Sequence, residues 1–166
     1  VGRENCILIH VALMVYLPAS EEMKTKPIQM SVKELQRLGI QPDVVVCRTE
    51  YEIDDNLKDK ISLFCNVPAS HVVQNLTVDM LYEAPLAMER EKLADVVLSS
   101  LRLENRKPDL SDWEEMVESL RNPNKTVKIA IVGKYTQLHD AYISVVEALK
   151  HGGIAERATV NLNWVD

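Results

Sequence analysis

Short apolar runs rich in Ile, Leu and Val alternate along this chain with longer stretches whose apolar positions recur every three or four residues. That alternation predicts β-strands interleaved with amphipathic helices. Residues 6–13, 43–47 and 72–76 read as strands, the first two apolar enough to be buried on both faces of a parallel sheet. Residues 16–23 form a connection broken by Pro18. Ser31 and Glu34 then have the spacing of a capping box, with Met30 and Leu35 placed as its hydrophobic staple. They predict a helix over 31–38 that stops at Gly39, with Pro42 preventing continuation. Residues 53–65 predict a second helix, striped by Leu57, Ile61, Phe64 and Cys65. After a turn at 77–79, residues 81–103 predict two helical segments separated or kinked by Pro85, the second packing through Leu93, Val96, Val97 and Leu101.

The pattern changes at 104–109, a polar stretch with Pro108 as a breaker, which reads as a linker. Ser111 and Glu114 form a second capping box and open a helix to about 121, striped by Trp113, Met116, Val117 and Leu120. A strand at 127–132, a helix at 140–150 closed by Gly152 and Gly153, and a strand at 159–165 make a further βαβ unit. The fold class is therefore α/β: a mainly parallel, Rossmann-like sheet with flanking helices over 1–103, a linker with a helix over 104–126, and the start of a second α/β domain over 127–166.

Composition narrows the functions. A net charge of −6 lacks the basic face of a general nucleic-acid binder, while a mononucleotide needs only a few local cations. No apolar run approaches the roughly 18 residues that a membrane helix needs, and residues 6–15 make a poor signal peptide. Cys6, Cys47 and Cys65, odd in number and without C-x-x-C spacing, read as packing thiols in a reducing cytoplasm. His10 reads as a hydrogen-bonded core histidine, and His71, His139 and His151 as surface or capping residues, because no metal-ligand spacing surrounds them. Gly133-Lys134 follows a strand but lacks both the earlier Gly and the following Ser/Thr of a P-loop. No cysteine sits in a nucleophile elbow, so no catalytic residue is assigned. The chain starts without Met and ends at Asp166 just after a strand, as a segment cut at both ends would.

The candidate chemistry lies at residues 24–35. Lys24 and Lys26 flank Thr25, Pro27 stiffens the segment, and Gln29 adds an amide just before the expected helix start. Free N–H groups at a helix start favour anions, and lysines add charge-assisted bonds to phosphate oxygens. Two readings fit the spacing: a polyphosphate-holding loop, or a capped surface helix preceded by solvated lysines. Arg48 falls just beyond a strand's carboxyl end, where open α/β sheets place ligands, and a simple salt bridge fits it equally. Lys60 borders an apolar stripe, the usual place for a lysine that lays its stem over the core.

The run KTKPIQMSVKELQRLGIQPDVVVCRTE closely resembles a stretch of the CTP synthases, glutamine-dependent enzymes that aminate UTP. The resemblance continues through KISLFCNVP, VDMLYEAPL and VGKYTQLHDAYISVVEALKHGG, in the family's order. It implies the carboxyl-terminal part of the amidoligase domain, the linker, and the start of a class I glutaminase domain. It also implies that Lys24, Thr25, Lys26, Pro27, Gln29 and Lys60 contact UTP or the inhibitor CTP across a subunit interface of a tetramer. Arg48 and Val78 are implied on the ATP side, the turn at 77–79 reading adenine through backbone groups. The complete enzyme so implied uses ATP, Mg2+ and glutamine, with GTP as allosteric activator. Ile28 and Met30 replace the family's Thr and His, and Ala12, Val15 and Glu21 stand where it has a threonine, a proline and a small residue. Two functions follow: a segment of the CTP-forming ligase, or a truncated, non-catalytic homologue that binds nucleotide or assembles with full-length subunits.

Overall fold

The computed structural model describes residues 2–166. They form two compact units, divided between Lys107 and Pro108.

The first unit is built on β4 (Val44–Thr49), flanked by β1 (Ile9–Leu13) and β5 (Val72–Leu76), both parallel to it. Because side chains alternate across a strand, β4 feeds two cores. Val45 and Cys47 join Ile28 and Val32 of α1 (Lys26–Arg37) and Ile61 and Cys65 of α2 (Asp55–Cys65). Val44 and Val46 join Val73 and Val96, the latter from α4 (Leu93–Ser100). The result is an α/β unit with a parallel sheet between helices, as the alternating pattern predicts. The unit also contains β2 (Val15–Leu17), β3 (Glu22–Lys24) and α3 (Ala84–Arg90).

The double burial expected of residues 6–13 does not occur. In register, Ile9 and Val11 lie beside Val44 and Val46, the side of the sheet that α4 covers only over β4 and β5. Val11 and Leu13 are therefore 63% and 64% exposed at the sheet edge. Cys6 precedes the strand and is exposed, so only Cys47 and Cys65 are packing residues. His10 is hydrogen-bonded as expected, with Nε2 and Ser31 Oγ 2.9 Å apart, but it is half-buried and not in the core.

Both capping-box expectations fail. The α1 helix starts at Lys26, five residues before the expected place, with Thr25 at its N-cap and Pro27 in its first turn. A proline there forfeits no helical bond and its fixed φ suits the turn, so Lys26 is helical and not extended. Ser31 turns its hydroxyl to His10, and the supposed staple residue Met30 is exposed. The predicted stop is present: Gly39, at φ +78°, donates to Gln36 O while Ile40 donates to Leu35 O, the paired bonds of a Schellman motif. In α2 the cap is Asp54, whose Oδ1 accepts from Leu57 N at 2.8 Å, and Phe64 of the expected stripe is exposed. Pro85 opens α3 in the same manner as Pro27, and the break before α4 falls instead at Lys92, φ +58°. Residues 16–23 form no plain connection: β2 and β3 pair antiparallel as a hairpin.

In the second unit β6 (Lys125–Val132) and β7 (Ala158–Val165) pair in parallel in a sheet of their own. They are connected through α6 (Ile143–Ala155), and α5 (Ser111–Arg121) precedes them. Ser111 does not cap α5 through Glu114; its Oγ and N both donate to Asp109 Oδ1, at 2.7 and 3.1 Å. Gly152 and Gly153 lie inside α6 instead of closing it. At Gly153 a Cβ would meet Ala158 O and Val160 Cγ2 at 2.7 Å, so that glycine lets the helix touch β7. Among the described residues no helix is long and apolar enough to cross a membrane.

Candidate functional site

The hairpin delivers the site. Val15, Tyr16 and Leu17 of β2 pair with Lys24, Met23 and Glu22 of β3. On a strand, residues two apart share a face, so Glu22 and Lys24 project together. One residue later the backbone enters α1, where Lys26, Gln29 and Lys33 stand at i, i+3 and i+7, one face of a helix. From the other side, α2 contributes Lys60 and Phe64. These elements enclose an open cleft of about 380 Å³ lined by Glu22, Met23, Lys24, Thr25, Lys26, Gln29, Lys33, Lys60 and Phe64.

Its floor is ordered by two buried polar groups. Gln29 Nε2 donates to Thr25 Oγ1 at 3.0 Å, and both residues are almost wholly inaccessible. Its rim is cationic. Lys24 is hydrogen-bonded to the carboxylate of Glu22, and the Lys24 bond and charge, with a smaller contribution from Lys60, hold the Glu22 carboxyl below its usual range. Among the described residues Lys26, Lys33 and Lys60 make no ion pair, so their ammonium groups stand available to an incoming anion. Clustered ammonium donors beside a helix start suit several phosphate oxygens at once.

Of the residues singled out in the sequence, Lys24, Thr25, Lys26, Gln29 and Lys60 meet in this cleft. Pro27 is exposed and does not line it; its place is in the first turn of α1. Arg48 and Val78 lie elsewhere. Arg48 belongs to β4, one residue short of its end, and its Nη1 donates to Asn75 O at 3.2 Å; among the described residues it forms no ion pair. Val78 is half-buried just after β5, next to Thr77, whose backbone N–H donates to Thr49 O at 2.8 Å. Glu22, Lys33 and Phe64 were not singled out as site residues. The helical spacing of Lys26, Gln29 and Lys33 signals the first turns of α1, once the helix is started at Lys26.

A second cleft of about 460 Å³ adjoins the first through Glu22, Met23 and Lys60, and carries Tyr16 and Tyr51, whose ring centroids are 4.1 Å apart. A third, of about 790 Å³, lies between α2 and α4 and contains none of the residues singled out. Among the described residues no group of three or more His, Cys, Asp or Glu side chains is placed to hold a metal ion.

A parallel sheet flanked by helices, with lysines from a hairpin and two helices converging on one cleft, defines an α/β protein able to hold a polyanion. Residues 1–103 match the family described as CTP synthase N-terminus. The chain is 56% identical to the CTP synthase of Ruminiclostridium cellulolyticum over 166 residues, 100% of this chain and 31% of that protein. It is 51% identical to the CTP synthase of Symbiobacterium thermophilum over 165 residues, and 49% identical to that of Synechocystis sp. over 165 residues, 99% of this chain and 30% of the relative in each case. The chain belongs to the CTP synthase family. It spans less than a third of the length of these relatives. The family match names the N-terminus, which is coarser than the expected carboxyl-terminal part of an amidoligase domain.

Proposed function

We propose that this chain is the part of a CTP-forming ligase that holds the polyphosphate of UTP, and of CTP as inhibitor. The observation that carries the reading is the convergence of Lys24, Lys26, Gln29 and Lys60, from a strand and two helices, on one cleft. The lysines serve as charge-assisted donors to phosphate oxygens, and Gln29, fixed by Thr25, supplies amide hydrogen bonds. Within the family's N-terminal region, 1–103 is the later part of the amidoligase domain, 104–126 the linker, and 127–166 the opening of the glutaminase domain. The order of the motifs supports that placement.

The described residues do not form a complete site for ATP and Mg2+. The sequence has no P-loop, and no carboxylate cluster is placed for a metal among the described residues, so no chemical step is assigned to them. Arg48 and the backbone around Val78 lie at or near the carboxyl ends of β4 and β5, the end of an open α/β sheet that faces ligands, and are the residues we assign towards ATP. Glutamine-derived ammonia, GTP activation and tetramer assembly belong to the same proposal for the complete enzyme.

The test is to restore the remaining segments from a relative and titrate UTP against the parent, Lys26→Ala and Lys60→Ala. Each charge-assisted bond contributes about 1.5 to 3 kcal/mol, so either variant should bind UTP roughly tenfold more weakly or worse. Unchanged affinity in both would return these lysines to a solvated surface. The 166-residue chain alone is expected to form no CTP from UTP, ATP and ammonia and to release no glutamate from glutamine. Turnover in either assay would contradict the assignment.

A further inference from the structure

Among the described residues four lysines and one carboxylate line the cleft, and that carboxylate is spoken for: Glu22 accepts from Lys24. The pairing follows from the fold. Glu22 and Lys24 are two apart on β3 and so share a face, with the partly buried Met23 between them packed against the core. Glu22 lines both the lysine cleft and the adjoining tyrosine cleft, and Lys60 lines both with it. Both members of the pair are solvent-accessible, with side chains 40% (Lys24) and 56% (Glu22) exposed, so the bond can open without disturbing the core. Such exposed pairs are weak. A phosphate oxygen offers Lys24 the same kind of acceptor, while Glu22 and an incoming polyanion repel one another.

We infer that Glu22 is a displaceable counter-ion of this cleft: it holds Lys24 while the cleft is empty, is exchanged for a phosphate oxygen when a polyphosphate binds, and so sets the affinity of the site. The inference rests on the reading of the cleft as a polyphosphate site. Its consequence runs opposite to that of an ordinary contact residue, because removing the charge of Glu22 strengthens binding.

The probe is inorganic tripolyphosphate, titrated into the intact 166-residue chain at low salt and followed by NMR shifts of the lysine side chains, which read millimolar affinities. Glu22→Gln keeps shape and removes charge, and should bind about threefold to tenfold more tightly than the parent, the range that breaking a weak surface pair and removing one repulsion allows. Glu22→Asp, which keeps the charge, should stay near the parent. In a Lys24→Ala background the gain from Glu22→Gln should shrink, since the exchange partner is gone. Equal or weaker binding by Glu22→Gln, with Lys60→Ala still weakening the parent, would overturn the counter-ion role and leave the cleft assignment standing. A Glu22→Gln gain that is undiminished in the Lys24→Ala background would also overturn it, leaving general repulsion. No shift at any cleft lysine would overturn the cleft assignment itself, and the counter-ion role with it.

Discussion

Single residues carry most of the local strain and most of the site's precision. Glu21 is held at φ +49°, a left-handed conformation costly for a side chain with a Cβ, in the turn between β2 and β3. A small residue, which the resemblance implies for this position, would relieve that backbone. Glu21→Gly should stabilise the chain by about 0.5 to 1 kcal/mol, seen as a higher urea midpoint at unchanged slope. Thr25→Val should do the reverse, because Gln29 would keep a buried amide donor without its partner; about 1 to 3 kcal/mol should be lost. Burial pushes the thiols of Cys47 and Cys65 up to about 12 and about 11. Between an unfolded value near 9 and those values the folded state keeps protons that the unfolded state releases, so stability falls as pH rises through that window. At pH 8 a thiol reagent should therefore label exposed Cys6 promptly and the other two only on unfolding. At this scale the site was half legible. Lysines and an amide beside a helix start announce anion chemistry from residue type alone, whereas Glu22 and Lys33 enter through strand and helix periods that count only when the element boundaries are right.

Elements were legible where packing decides them and misread where caps do. The strands around Val44 and Val72 and the α2 helix follow from apolar pattern because each buries a face, and β6 and β7 pair as their pattern predicts although one side of that sheet is only half-buried. The S-x-x-E spacing at Ser31 misled because helix starts are set by whichever cap and first-turn residues fit the chain's entry. Here Thr25 and Pro27 come first. The exposed row on β1 escaped the pattern for another reason: hydrophobicity says that a strand belongs in a sheet, not which neighbours will cover it. The two adjacent glycines of α6 separate two effects in one helix. Gly153→Ala should cost about 1 to 3 kcal/mol, since its Cβ would press on Ala158 and Val160. Gly152→Ala meets nothing within 4 Å and should stabilise by about 0.5 to 1 kcal/mol. Thermal melts of the pair should thus move in opposite directions.

At the scale of the whole chain, two units are joined through an exposed stretch without regular structure that includes Arg106 and Lys107. Trypsin at limiting dose should cut there first, a prediction read by the masses of the early fragments. The larger scale also changes how the cleft meets its ligand. Its lysine-rich rim belongs to a chain whose net charge is −6. At about 0.01 M ionic strength fields reach some 30 Å and a triphosphate feels the whole acidic surface, while near 0.15 M the reach is about 8 Å and the rim dominates. Salt therefore acts twice on encounter, first lifting a long-range repulsion and only then screening the short-range attraction. The association rate of a triphosphate should pass through a shallow maximum as salt is raised, instead of falling steadily, so the cleft recruits best in a medium of moderate ionic strength.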